Sequence, residues 1–446
     1  MEKFNPAAEK LKRFGGTPAV NCPVPDEMFA WPYVDEEIEN AVLDVVRKNK
    51  MSGIDITMEF EEKFAKWQHR KYGVCFPNGT MALQTAMFAI GLGAGDEIIC
   101  PTKTYWASCT SAMALGATVV FANVSRDTLC LDPEDLERCI GPRTKAIMVV
   151  HYCGHPADMD PICEIAKKHN LKIIEDVSHA QGGMYKGKML GTFGDVAAMS
   201  LMSLKSFSCG ELGILVTDSR EAYERSLAYA QYERNNPGYV TETESLLPYA
   251  CIPLGGMKGR ANQICTAIGL VRLRTYDEKI KEIRRAMNYF LDLMEGTPGF
   301  HPIRVDESTG STMGGWYNPV ALYATEELGG LPIKTYIEAV EEETGYHGWS
   351  GGNYPLHTHR LFQDYDLYHA GKPTRILFAD RDVRDLDYAL KASEDIPCLG
   401  IPWFKLYRPE LIEMYANGYK KVSAHYRELL GENGGEIGGM WYHSVH

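Results

Sequence analysis

Hydrophobic and polar positions along the chain fall into two textures. From Asp35 to about Lys66 the apolar residues recur at helical spacing. Ile38, Val42, Val45 and Val46 stand at i, i+4, i+7 and i+8, which predicts helix. From Tyr72 onward, short and continuously apolar runs alternate with helical segments. The runs Tyr72–Phe76, Glu97–Cys100, Thr118–Val124, Ala146–Val150, Lys172–Glu175, Val196–Leu201 and Ile214–Thr217 read as seven strands. Helices are expected between them at Thr80–Gly91, Ser108–Leu115, Asp132–Cys139 and Met159–His169. Asp132 is placed to cap its helix and Pro133 to fill the first turn. Strands that are apolar along their whole length are buried on both faces. The pattern therefore predicts an α/β fold with a parallel-rich sheet between helices, its functional groups at the strands' carboxyl ends.

From about Asp277 the texture changes. A charged helix over Lys279–Glu295, a strand at Val320–Tyr323 and a helix at Leu331–Thr344 predict a smaller α+β domain. The organisation expected is an N-terminal arm over 1–34, a large domain over 35–276 and a small C-terminal domain over 277–446, with a flexible tail from Glu432.

Composition narrows the function. At 446 residues and 45% hydrophobic, the chain has the material for a large core, which excludes a disordered scaffold. Its net charge of -13 disfavours nucleic-acid and membrane-surface partners, since both targets are anionic. No apolar stretch is long enough to span a bilayer, and the first sixteen residues lack the apolar run of a signal peptide. Twelve scattered cysteines without a CxxC pair read as reduced thiols of a cytoplasmic protein.

Four segments carry chemistry. Asp176 ends the apolar strand of IIEDVSHA with no cation beside it, an expensive place for a carboxylate unless it serves a ligand. Lys205 follows an apolar strand and precedes a Gly-rich turn. A lysine buried there loses solvation and becomes a neutral amine that attacks carbonyls. NGTMAL puts a polar Gly turn before a helix, whose free N–H groups suit a phosphate. PTKTYWAS sets two aromatics after another strand. An amine, a carboxylate, a phosphate cradle and an aromatic plate together suit one cofactor, pyridoxal 5'-phosphate (PLP).

The order and spacing of FPNGTMALQTA, GAGDEIICPTKTYWAS, VHYCGHPADMD, IIEDVSHAQGG and SLKSFSCGELG resemble the DegT/DnrJ/EryC1/StrS family of PLP-dependent sugar aminotransferases, from about Pro32 to about His359. The resemblance implies the aspartate-aminotransferase-like fold (PLP fold type I), with a mixed, mostly parallel seven-stranded sheet. It also implies roles. Lys205 matches the Schiff-base lysine and Asp176 the partner of the pyridine nitrogen. His179 matches a position near the ring hydroxyl, and Tyr105 the stacking aromatic, with Trp106 turned away into packing. Gly79, Thr80 and Ser200 match phosphate contacts. The family's G-x-N-x-R segment, which reaches the neighbouring subunit's phosphate, reads Gly256-Met257-Lys258-Gly259-Arg260 here, with Lys258 in place of Asn. The GELG of 210–213 departs mildly from the usual GEGG.

By the same resemblance, Arg260 and His357 are candidate substrate contacts, and the protein is a homodimer with shared sites. The activity implied is transfer of an amino group from L-glutamate or L-glutamine to a keto-sugar or keto-cyclitol. FGGTPAVNCPVP and Lys258 lean toward the cyclitol branch. Two rival readings demand other residues. A sugar dehydratase of the family would lose the Schiff-base lysine, and a non-catalytic regulator would lose part of the cofactor set, yet Asp176, Lys205 and the phosphate turn are all present. His151, Cys153 and His155 share i, i+2, i+4 spacing, but Gly154 and Pro156 make the segment a strand exit without an evident carboxylate, so no metal is expected.

Overall fold

A computed structural model describes residues 5–394 and 396–431; the tail expected from Glu432 lies outside the described residues. The predicted helix between Asp35 and Lys66 is two helices, α1 (Glu36–Arg47) and α2 (Asp55–Trp67). The break falls at Asn49, whose φ of 53° is left-handed and ends the first helix.

The alternating region follows in order: β1 (Tyr72–Phe76), α3 (Gly79–Ala89), β2 (Glu97–Pro101), α4 (Ala107–Ala114), β3 (Thr118–Ala122), α5 (Pro133–Cys139), β4 (Thr144–Val150), α6 (Met159–Lys168) and β5 (Lys172–Asp176). A small hairpin, β6 (Met184–Tyr185) and β7 (Lys188–Met189), precedes β8 (Val196–Ser200), β9 (Gly213–Thr217) and α7 (Arg220–Ala230). Asp132 caps α5 as expected, its side chain accepting from the Glu134 N–H.

Seven strands form one sheet in the order β1-β9-β8-β5-β4-β2-β3. All adjacent pairs from β8 to β3 are parallel, while β9 runs antiparallel to both β8 and β1. The six other strands thus point the same way, and their carboxyl ends share one edge. The neighbouring central strands β4 and β2 are buried along their apolar runs, 146–150 and 98–101.

The chain continues through α8 (Gln263–Leu273) and the long α9 (Tyr276–Met294) into a second layer. There β10 (Phe300–Pro302), β11 (Val320–Tyr323) and, much later, β12 (Cys398–Gly400) form an antiparallel sheet. It packs with α9, α10 (Ile333–Thr344) and α11 (Pro409–Ala424) around a separate core that includes Phe290, Tyr336 and Tyr419. Leu11 and Met28 from the N-terminal arm are buried in that core.

One stretch departs from the expected partition. Residues 356–394, between α10 and β12, leave the small domain and cover the β3 edge of the large sheet. Phe362 meets Phe121 edge-on with centroids 5.0 Å apart. The buried Arg375 donates to the Val119 carbonyl at 2.8 Å and forms a two-pronged pair with Asp387. Two-pronged pairing satisfies a guanidinium that would otherwise be costly to bury.

Candidate active site

The carboxyl edge of the large sheet opens into a cavity of about 320 Å³. Nearly every sequence-predicted residue of the large domain lines it. Helix α3 begins here, capped by Asn78, whose side-chain oxygen accepts from the Met81 N–H at 2.9 Å. Gly79 is the first helical residue. A Cβ there would lie 2.6 Å from Cβ and 2.8 Å from Cα of Ser200, so only glycine lets the start of α3 approach the end of β8 this closely. Thr80 stands exposed beside it. The result is a helix N-terminus with free N–H groups, flanked by the Thr80 and Ser200 hydroxyls, at the cavity wall.

Asp176, 5% exposed, ends β5 and is held on both oxygens. The Ser108 hydroxyl donates to Oδ2 at 2.8 Å and the Ser178 N–H to Oδ1 at 3.0 Å. A fixed carboxylate at the floor of a cavity suits a cationic ring N–H. Ser178 also ties β5 to β8 by accepting from the Ser200 N–H at 2.9 Å.

Lys205 is 8% exposed, in the turn after β8. Its backbone is pinned twice, by its N–H to the Met202 carbonyl and by the Trp31 indole donating to its carbonyl at 2.8 Å. Nζ sits over the Tyr317 ring, 3.6 Å from the centroid. Burial pulls its pKa down to about 7, with the Asp176 charge opposing the fall. The side chain is therefore an amine near its half-neutral point at physiological pH.

His179 lies between Tyr152 and Tyr317, at 5.4 and 4.6 Å between ring centroids. Burial first and the Lys205 charge second drive its pKa well below the usual value, so the imidazole is neutral. Nδ1 accepts from the Cys153 N–H at 3.3 Å, which leaves Nε2 as the N–H donor. Tyr105 lines the cavity. Trp106 stays off the cavity wall and packs against the core, its ring still beside Tyr105 at 4.5 Å between centroids.

Three predicted residues stand elsewhere. Lys258 is exposed and does not line this cavity. Arg260 pairs with Glu233 and donates to the Ser52 carbonyl at 3.0 Å. His357 is buried outside the cavity, bonded through Nδ1 to the Thr102 hydroxyl at 2.6 Å and through Nε2 to Glu394 at 3.1 Å. It clamps the 356–394 stretch to the end of β2 and does not face substrate space. The His151, Cys153, His155 trio also disperses. His151 bonds Glu175 and the Ala157 N–H, His155 bonds the Pro156 carbonyl, and Cys153 faces the cavity.

Several lining residues had no predicted role. Tyr317 and Asn318 come from the small domain; Trp349, Gly352 and Asn353 come from the loop before 356. Asn353 is locked to Tyr152, accepting from its hydroxyl at 2.7 Å and returning an N–H at 2.9 Å. Glu211, second residue of GELG, also lines the cavity, while Leu212 packs into the core.

The residues fit PLP in detail. The Gly79 cradle suits a phosphate, Asp176 a ring nitrogen, neutral His179 a ring oxygen and Lys205 an aldehyde. The fold and this cavity define a PLP-type aminotransferase architecture. The chain belongs to the DegT/DnrJ/EryC1/StrS aminotransferase family, whose model matches residues 32–373.

Among similar proteins, one of Micromonospora echinospora, assigned by name alone as an L-glutamine:3-amino-2,3-dideoxy-scyllo-inosose aminotransferase, is 33% identical over 79% of this chain and 82% of its own length. The GDP-perosamine synthase of Escherichia coli O157:H7 is 38% identical over 52% of this chain and 61% of its own. A solved aminotransferase from Psychrobacter cryohalolentis, 25% identical, superposes with a TM-score of 0.72 over 87% of this chain and 97% of that one. Among the described residues no helix is long and apolar enough to cross a membrane.

Proposed function

We propose that the protein transfers an amino group from L-glutamine or L-glutamate to the ketone of a cyclic polyol, a keto-cyclitol or keto-sugar, with PLP anchored on Lys205. The observation that carries this reading is the convergence of Lys205, Asp176 and the glycine-cradled start of α3 on one cavity. When bound, PLP supplies the electron sink that makes a donor's α-proton removable. Asp176 holds the proton on the ring nitrogen. Lys205 Nζ, near its half-neutral point, would hold the cofactor and would be the base that takes the proton from the donor's α-carbon. Tyr317, against Lys205 Nζ, and Tyr105 line the space beside it. His179 Nε2–H orients the ring oxygen.

A keto-cyclitol is favoured as acceptor and L-glutamine as donor, because the relative named for that reaction matches over a far larger share of both chains than the perosamine synthase does. We further propose a homodimer in which Lys258, exposed and away from its own cavity, reaches the partner's cofactor phosphate. Tyr249, Ile252 and Leu254, apolar and exposed just before it, suit an interface.

The test is a matrix of donors (L-glutamine, L-glutamate) against acceptors (keto-inositols, nucleotide-linked keto-sugars), read as amino product by mass spectrometry. Product from a keto-cyclitol with L-glutamine supports the reading. Product only from nucleotide-linked keto-sugars overturns the acceptor, and no amino product from any pair overturns the activity.

A further inference from the structure

An amino-acid donor brings a carboxylate into the cavity, and a carboxylate leaving water needs a cation or several N–H donors. Lys205 is the only lysine or arginine lining the cavity among the described residues, and it is committed to the cofactor. One cation lies immediately behind the wall. Lys103, between the end of β2 and Tyr105, is 4% exposed. Among the described residues no carboxylate pairs with it. A lysine with a buried stem and no counter-charge among the described residues is open to pairing with an incoming anion.

The neighbourhood points the same way. Thr104, the next residue, lines the cavity. So does Gly352, where an added Cβ would lie 3.5 Å from Lys103 Cε and 2.9 Å from the Tyr152 hydroxyl. The missing side chain at Gly352 leaves the lysine stem against the cavity wall. Charge on Lys103 is also felt at Cys153, itself a lining residue that senses Lys205 from the other side. The backbone that presents Lys103 is fixed, because Thr102 holds the 356–394 stretch through the Leu356 N–H and the His357 ring. Arg260, the other basic candidate, is already paired with Glu233.

We propose that Lys103 is the counter-ion of the donor's α-carboxylate, and so a residue that selects amino-acid donors. This rests on the aminotransferase reading above. The α-carboxylate is the anion that glutamine and glutamate share, and the acceptor's reacting ring carries no charge.

The experiment uses PLP-loaded enzyme and single-turnover spectra of the cofactor band. Each half-reaction is followed separately, L-glutamine into the resting form and the acceptor into the aminated form. Lys103→Met should raise the half-saturating L-glutamine concentration at least tenfold, about 1.4 kcal/mol. The limiting rate should stay within about threefold and the acceptor's half-saturation should not move, while Lys103→Arg keeps most of the affinity. A fold-independent arm compares L-glutamine with its α-amide. Wild type should lose at least tenfold in half-saturation with the amide, and Lys103→Met should not discriminate between the two. Calorimetry of α-methyl-L-glutamine, which has no α-proton to lose, reads binding without turnover and should show the same tenfold loss in the variant. Unchanged glutamine binding in Lys103→Met, a shift confined to the acceptor, or no wild-type preference for the free acid overturns the role of Lys103. A wild type whose spectrum no donor alters overturns the aminotransferase reading instead.

Discussion

Burial of Lys205 makes a quantitative prediction about the chain before any cofactor binds. An ordinary lysine has a pKa of 10.5, and Lys205 is drawn down to about 7 by desolvation. At pH 7.4 an ordinary lysine is neutral in roughly one molecule in a thousand, whereas a group with pKa about 7 is neutral in about seven of ten. Its reactive fraction is therefore about a thousandfold larger. Trace labelling of the apo chain with acetic anhydride between pH 5 and 10, followed by peptide mass spectrometry, reads each lysine separately. Lys205 labelling should rise with a midpoint near 7, far below that of a lysine in a model peptide labelled alongside. The sign of a second perturbation is fixed by the same geometry. The Asp176 charge raises the Lys205 pKa, so Asp176→Asn should move the labelling midpoint lower still. A Lys205 midpoint above about 9 would refute the desolvation argument, and an upward shift in Asp176→Asn would refute the coupling.

Asp176→Asn should also lower turnover by at least about a hundredfold, the usual size of losing one preorganised charge contact. The fold should survive, since Asn can still accept from the Ser178 N–H and donate to the Ser108 hydroxyl; near-normal turnover would mean another group serves the ring nitrogen. Gly79→Ala forces a Cβ to 2.6 Å from Ser200 Cβ, so urea unfolding should report a loss of about 1–3 kcal/mol together with weaker PLP uptake. Mixing inactive Lys205→Ala with inactive Lys258→Glu should restore part of the activity after subunit exchange, because one hybrid site then holds both wild-type residues. No recovery despite proven exchange, or a fully active monomer by sedimentation, would sink the shared site.

Legibility from sequence followed burial. Strands β2, β3, β4 and β5 could be read to within about two residues because each is built on a buried run of three or more apolar residues or, in β5, two, between polar ends. The cavity-lining residues of the large sheet were legible for a related reason: they stand at or just after strand ends, where a carboxylate or lysine stands out. Ser108, at the end of PTKTYWAS, has no such contrast, although its hydroxyl holds Asp176. Tyr317 and Asn353 had no local signature, since their contacts with Lys205 and Tyr152 arise only when distant segments fold together. His357 shows the converse. Its position in the chain suggested a substrate-facing loop, but which way a loop turns is decided by packing, here the burial of the 356–394 stretch on β3. The break after α1 was hidden because helical spacing resumes in the same polarity after a left-handed turn at Asn49.

The central claim is that Lys205 is the amine that anchors the cofactor. Reduction of the PLP-loaded protein with borohydride, followed by proteolysis and peptide mass spectrometry, tests it directly. One pyridoxyl group should be fixed on the peptide containing Lys205 and be absent in Lys205→Ala. A pyridoxyl group fixed on another lysine, or a chain that takes up no PLP, would contradict it.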